Sequence, residues 1–136
     1  MLLEYLLCYN ITMKSNDDLI LNIIKTSSKP LTAYEILGKI QKIKKIQPMS
    51  VYRSLKNLQN QGKVHKSNQN KSFLLCKDND HEHIHNPVLV ICKDCGKTEE
   101  LEVGNFSKLL SNLKTKAQFQ FSNFQMEVSS ICKGCV

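Results

Sequence analysis

Residues 48–66 read PMSVYRSLKNLQNQGKVHK, and the parsing of this run decides the fold. Pro48 suits the first turn of a helix, where its missing N–H costs no intrahelical bond. Val51, Leu55 and Leu58 then recur at helical spacing, while Ser50, Tyr52, Arg53, Lys56 and Asn57 fall on the other side. The spacing predicts a helix over Pro48–Gln61 that stops near Gly62. After it the period changes. Lys63–Lys66 and Ser72–Cys76 are short strands in prospect, flanking a polar turn, Ser67–Lys71, suited to a hairpin.

Two more helices precede this run. Asn16 or Asp17 is placed to cap a first helix carrying Leu19, Ile20, Ile23 and Ile24, which Ser27-Ser28-Lys29-Pro30 ends. Thr32-Ala33-Tyr34-Glu35 has the form of a capping box, with Glu three residues after Thr so that each side chain satisfies a free backbone N–H. Ile36, Leu37, Ile40 and Ile43 follow at helical spacing, and the lysine-rich connection Lys42–Gln47 leads into Pro48. Three helices and a hairpin make a winged helix-turn-helix. Residues 1–12 are apolar and read either as an extra helical turn or as a loose lead, with Met13 an alternative start.

Beyond a charged, histidine-rich stretch, Lys77–Asn86, the pattern becomes that of a small α/β module. Val88–Ile91 and Thr98–Val103 read as strands, and Phe106, Leu109, Leu110 and Leu113 as a helix. Phe119, Phe121, Phe124, Met126 and Val128 read as a last strand with one break in its alternation. The expected class is therefore α+β. A winged-helix domain over residues 1–78, a hinge over 79–86 and a small α/β domain over 87–136 make up the chain.

Charge divides along the same line. Residues 1–78 hold thirteen Lys/Arg against five Asp/Glu, and residues 79–136 six against seven. A basic half beside a near-neutral one points to a polyanion, nucleic acid first, as partner of the N-terminal half alone. The opening MLLEYLLCY has no basic n-region and is broken by Glu4, so a secretory signal is not expected. No apolar run is long enough to span a bilayer. A cytoplasmic protein without membrane contact follows, in a reducing compartment where cysteines bind metals or do redox work rather than form structural disulfides.

Four of the six cysteines form two Cys-x-x-Cys pairs, Cys92/Cys95 and Cys132/Cys135. Each pair supplies two thiolates from one tight turn, and tetrahedral zinc takes four. Gly96 helps the first turn form. A thioredoxin-like redox pair would open a helix within a βαβ unit, whereas strand–knuckle–strand surrounds this one. Structural zinc is the stronger reading. A second constellation comprises His65, Cys76, His81, His83, His85 and the carboxylates Glu99, Glu100 and Glu102. Its donors suit zinc, but the same residues also fit a solvated linker and a surface strand.

Ser50-Val51-Tyr52-Arg53, Gly62-Lys63-Val64-His65-Lys66, Leu75-Cys76 and Val90-Ile91-Cys92-Lys93-Asp94-Cys95-Gly96-Lys97 together resemble the ferric uptake regulator family. The likeness runs over about residues 15–136 and is strongest to its zinc uptake regulators, which repress zinc-import genes when zinc is plentiful. It implies a homodimer joined through residues 87–136, with structural zinc on Cys92, Cys95, Cys132 and Cys135. It further implies a regulatory zinc on His65, Cys76, His85 and Glu100, hence two zinc ions per chain. Tyr34 and Arg53 match positions that contact DNA bases. Where iron and peroxide sensors carry histidines in the last strand region, this chain has Asn123 and Ser129, which favours zinc. His81 and His83 leave room for a third, weaker site.

The expected mechanism places helix 48–61 in the major groove of double-stranded operator DNA. It presents Ser50, Tyr52, Arg53, Lys56 and Asn57 there, with Arg53 able to bind guanine bidentately. Tyr34, Lys66 and Lys71 would serve positioning; the alternative for Tyr34 and Tyr52 is a half-buried place in the core. No nucleophile–base pair, phosphate loop or small-molecule pocket signature is present, so neither an enzyme nor a small-molecule substrate is expected. The rival readings are an iron- or manganese-responsive regulator of the same architecture, and a zinc-ribbon nucleic-acid module without sensing.

Overall fold

Ser15, not Asn16 or Asp17, starts the first helix: its hydroxyl accepts the Asp18 backbone N–H at 3.1 Å. Asp17 and Asp18 instead lie in the first turn, where negative charge complements the exposed N–H groups. The computed structural model describes residues 15–77, 86–102, 104, 106–113, 115–121 and 124–136. Residues 1–12, and all of the 79–86 hinge but Asn86, lie outside these. The chain divides into two compact units between Cys76 and Lys77.

In the first unit, α1 (Asn16–Thr26), α2 (Ala33–Gln41) and α3 (Pro48–Asn60) enclose a core of Leu19, Ile20, Ile24, Ile36, Ile40, Val51, Leu55 and Leu58. Full burial of each such side chain stabilises the fold by about 1.5–3 kcal/mol. The capping box of α2 is formed: Thr32 N–H donates to Glu35 Oε2 at 2.8 Å, and Glu35 N–H to Thr32 Oγ1 at 3.2 Å. Ile43 falls beyond α2, in the turn, and is 44% exposed. α3 ends in a Schellman motif, with Gly62 at φ +70° donating to Gln59 and Lys63 N–H to Leu58, both at 3.0 Å.

The hairpin joins β2 (Val64–Lys66) to β3 (Ser72–Leu75), with Val64 opposite Leu75 and Lys66 opposite Phe73. A strand the sequence did not announce, β1 (Leu31–Thr32), pairs antiparallel with the other edge of β3, giving the order β1-β3-β2. Two residues are too few to show a period. Leu31 and Phe73, which face each other across β1 and β3, close the core.

In the second unit β4 (Val88–Cys92) and β5 (Thr98–Leu101) form an antiparallel hairpin, and β6 (Met126–Ser130) lies parallel to β4, order β5-β4-β6. The crossover from β5 to β6 carries α4 (Phe106–Ser111). α4 stops before Leu113, and β6 is shorter than its aromatic pattern suggested: Phe119 and Phe121 precede it outside any strand. Among the described residues of this unit, Val88, Leu89 and Ile91 form the buried apolar centre. Domains of this size commonly need a metal or a partner to be stable.

Candidate metal centres and DNA-reading face

β4 runs directly into the first cysteine knuckle. Cys92 N–H donates to Lys97 O at 2.8 Å, Gly96 N–H returns to Cys92 O at 3.0 Å, and Gly96 sits at φ +75°, a backbone state that favours glycine. Lys93 N–H reaches Ser130 O at 2.8 Å, so the knuckle also holds the end of β6. The second knuckle closes through Cys135 N–H to Cys132 O at 2.9 Å. Cys132 N–H then donates to Cys92 Sγ at 3.3 Å, and Cys95 Sγ lies 3.6 Å from Cys132 Sγ.

All four sulfur atoms lie within 4.8 Å of one another. Tetrahedral zinc with sulfur at ~2.3 Å requires edges of ~3.8 Å, so the cluster has the size of the ion's shell. Its protonation fits as well. Backbone N–H groups, that of Cys132 foremost, lower the Cys92 thiol to about 6. The neighbouring sulfurs, Cys132 first, push Cys135 up to about 12. At Cys95 the Lys97 N–H lowers the thiol, but the sulfurs of Cys92 and Cys132 leave it raised. Four thiolates this close repel unless a cation is among them.

His65 and Cys76 both belong to the first unit and are both buried. His65 stands in β2 opposite Leu74, and Cys76 follows β3 with its N–H on Lys63 O at 3.0 Å. One ligand atom of each lies within 4.8 Å of the other. Of the three carboxylates after the first knuckle, Glu99 and Glu102 are exposed and Glu100 alone is buried. Glu100 stands in β5 opposite Leu89 and accepts the Lys77 backbone N–H at 3.1 Å, a contact not legible in the sequence. Glu99 pairs with Lys97 at 3.3 Å. His81, His83, His85 and Asn123 lie outside the described residues; Ser129 is an exposed residue of β6.

α3 buries Val51, Ser54, Leu55 and Leu58 and exposes Tyr52, Arg53, Lys56 and Asn57, with Ser50 half-buried. The small Ser54 on the inner face was not anticipated. Tyr34, in the first turn of α2, is 81% exposed and Tyr52 54%. Neither is a core aromatic, so both phenols are available to a partner.

Residues 11–129 match the model of the Ferric uptake regulator family. The chain belongs to that family. Its members are transcription regulators and not enzymes, and this chain is a metal-responsive transcriptional regulator with an N-terminal winged helix. It is 27% identical over 118 residues to the zinc uptake regulation protein of Escherichia coli (strain K12), covering 86% of this chain and 68% of that one. A zinc uptake regulator solved in complex with zinc and DNA superposes with a TM-score of 0.79 at 25% identity, over 90% of this chain and 82% of the other. The structure of holo XcZur gives 0.76 at 28%, over 90% and 85%. Among the described residues no helix is long and apolar enough to cross a membrane.

Proposed function

We propose that this ferric uptake regulator family member is a zinc-responsive repressor. On this reading it binds operator DNA as a cytoplasmic homodimer when loaded with metal, and restrains zinc-uptake genes. The observation that carries the reading is the buried His65–Cys76 pair. An imidazole and a thiol set side by side, one in β2 and one directly after β3, are borderline-to-soft donors that suit zinc. The similarity to zinc uptake regulators supports the same metal.

The structural site is Cys92, Cys95, Cys132 and Cys135, and the regulatory ligands are His65, Cys76, His85 and Glu100, giving two zinc ions per chain. Bound zinc supplies a double positive charge that offsets the thiolates and carboxylate. The rest is done by the chain. His65 is held by β2, Cys76 directly after β3 and Glu100 by β5, and His85 belongs to the stretch 79–86. Because the donors come from both parts of the chain, loading favours one arrangement of it by the ion's differential affinity. In a dimer that arrangement sets the spacing of two reading helices, which must meet successive major-groove faces. Residues 87–136 are the dimerisation domain. Leu109, Leu113, Phe119 and Ile131 are 48–69% exposed there in the single chain, apolar surface that a partner copy would cover.

The test is elemental analysis beside operator affinity measured over buffered free zinc. Two zinc ions per chain are expected, with tight binding only at high free zinc. His85→Ala should keep the quartet ion and lose the response. Affinity that ignores zinc, or that answers to ferrous iron or manganese instead, would overturn the assignment.

A further inference from the structure

α3 buries Val51, Leu55 and Leu58 and turns mostly polar side chains outward, but two aliphatic residues at its start are exposed as well. Pro48 is explained by the helix start it forms. Met49, 63% exposed, is not: it belongs to no part of the core cluster. At 3.6 residues per turn it lies on the side away from Val51 and Leu58, in one stripe with Tyr52, Arg53 and Lys56, three, four and seven residues on. Wherever the Arg53 guanidinium is seated, the Met49 thioether is seated with it.

The target follows from chemistry. Phosphates and the donor and acceptor edges of the bases reward polar side chains, and a thioether offers them little. The apolar group that the major groove presents is the 5-methyl of thymine, which cytosine lacks. In helix-turn-helix proteins the N-terminal residues of the reading helix meet the base edges, and Met49 is the second residue of α3. An unbranched, polarisable side chain adapts readily to a small apolar target.

We infer that Met49 is a specificity residue, whose side chain packs on the methyl of one thymine and selects thymine over cytosine at that position. One helical turn, ~6 Å, separates it from Arg53, so at ~3.4 Å per step the thymine lies about two base pairs from the guanine that Arg53 grips. This deepens the DNA-binding reading above and rests on it.

The test uses the full-length, zinc-loaded protein and a duplex it selects from a randomised library. Each thymine is replaced in turn by deoxyuridine, which keeps the pairing and every polar group and removes only the methyl. Wild-type affinity should fall about fourfold at one thymine, the loss of one buried methyl. That thymine should stand about two base pairs from the one at which Arg53→Ala relaxes preference. Met49→Ala should lose about fourfold on the thymine duplex and nothing more on the deoxyuridine one. Its thermal midpoint should stay level, because alanine is as good a helix former. Met49→Leu should keep the methyl preference. Four results overturn the inference: no thymine whose methyl matters to the wild type, wild-type binding by Met49→Ala, a methyl preference that survives in Met49→Ala (another side chain makes the contact), or a lower midpoint with weaker binding on every duplex (a structural role). If the wild type selects no duplex at all, the DNA-binding reading itself falls and takes this inference with it.

Discussion

The backbone N–H of Cys132 donates to the sulfur of Cys92 over 3.3 Å, joining knuckles 40 residues apart. That bond and the four sulfurs around it hold the end of β6 against β4, in a unit with few buried apolar side chains among its described residues. Structural zinc contributes about 10–16 kcal/mol in zinc-finger peptides, as much as a whole domain's stability. Chelation, or Cys135→Ser, should therefore strip amide-exchange protection from β4 and β6 while α1–α3 keep theirs. Retained protection in β6 without metal would remove the stapling role.

The same cluster sets a pH dependence. Crowding by the other sulfurs holds the proton on Cys135, whose thiol stands at about 12, and zinc must displace it to bind. Protons and zinc compete, so affinity for the quartet ion should rise with pH and metal should be lost on acidification. Cys92, at about 6, keeps its thiolate to lower pH than Cys135 does. Zinc content after dialysis at stepped pH checks this; content that rises toward acid would contradict it.

How much of this could be read from the chain depends on the kind of signal. The helices of the first unit were legible because Leu19/Ile20/Ile24 and Val51/Leu55/Leu58 repeat at helical spacing, and the Thr32–Glu35 box declares its own geometry. The cysteine quartet was legible because ligand spacing is local. β1 was hidden, since Leu31–Thr32 becomes a strand only by pairing with Phe73 and Ser72. Phe119 and Phe121 lie outside any strand, because an apolar alternation in the sequence does not by itself separate a paired strand from an unpaired segment. Nothing local separates Glu100 from its neighbours Glu99 and Glu102 except the alternation of β5, which turns Thr98 and Glu100 inward.

Arg53 and Lys56 stand on the exposed side of α3 and should fail differently. Arg53→Ala removes a fork able to grip guanine, and should cost about 1–3 kcal/mol on the selected duplex while relaxing preference at one base pair. Lys56→Ala should weaken all sequences alike and flatten the salt dependence of binding by about one phosphate contact. Titrations on matched and mismatched duplexes at several salt concentrations separate the two. Identical behaviour would deny α3 the base-reading role.

The Thr32–Glu35 box gives a second pH effect, of opposite origin. The Thr32 backbone N–H, and after it Lys29, holds the Glu35 carboxyl below its ordinary value. A carboxylate depressed on folding adds stability that is fully present above its unfolded pKa and vanishes as pH falls through the folded one. Glu35→Gln should therefore narrow the stability gap to wild type below about pH 4. Thr32→Ala should cost about 0.5–2 kcal/mol at neutral pH. Urea unfolding at pH 3 and 7 measures both, and a gap that widens toward acid would be the wrong sign.

Cys76 tests the regulatory reading most cleanly, because its replacement by alanine removes one sulfur atom and little volume. It is buried beside His65, and its N–H is satisfied by Lys63 O. If the pair is a ligand set, Cys76→Ala should lower metal content from two zinc ions per chain to one and flatten the response of operator affinity to free zinc. The metal-free unfolding free energy should stay within about 1 kcal/mol of wild type. If the pair only packs, the midpoint should fall by the same amount with and without zinc and the response should survive. The two outcomes are opposite in both measurements, so calorimetry and binding on one variant decide between them.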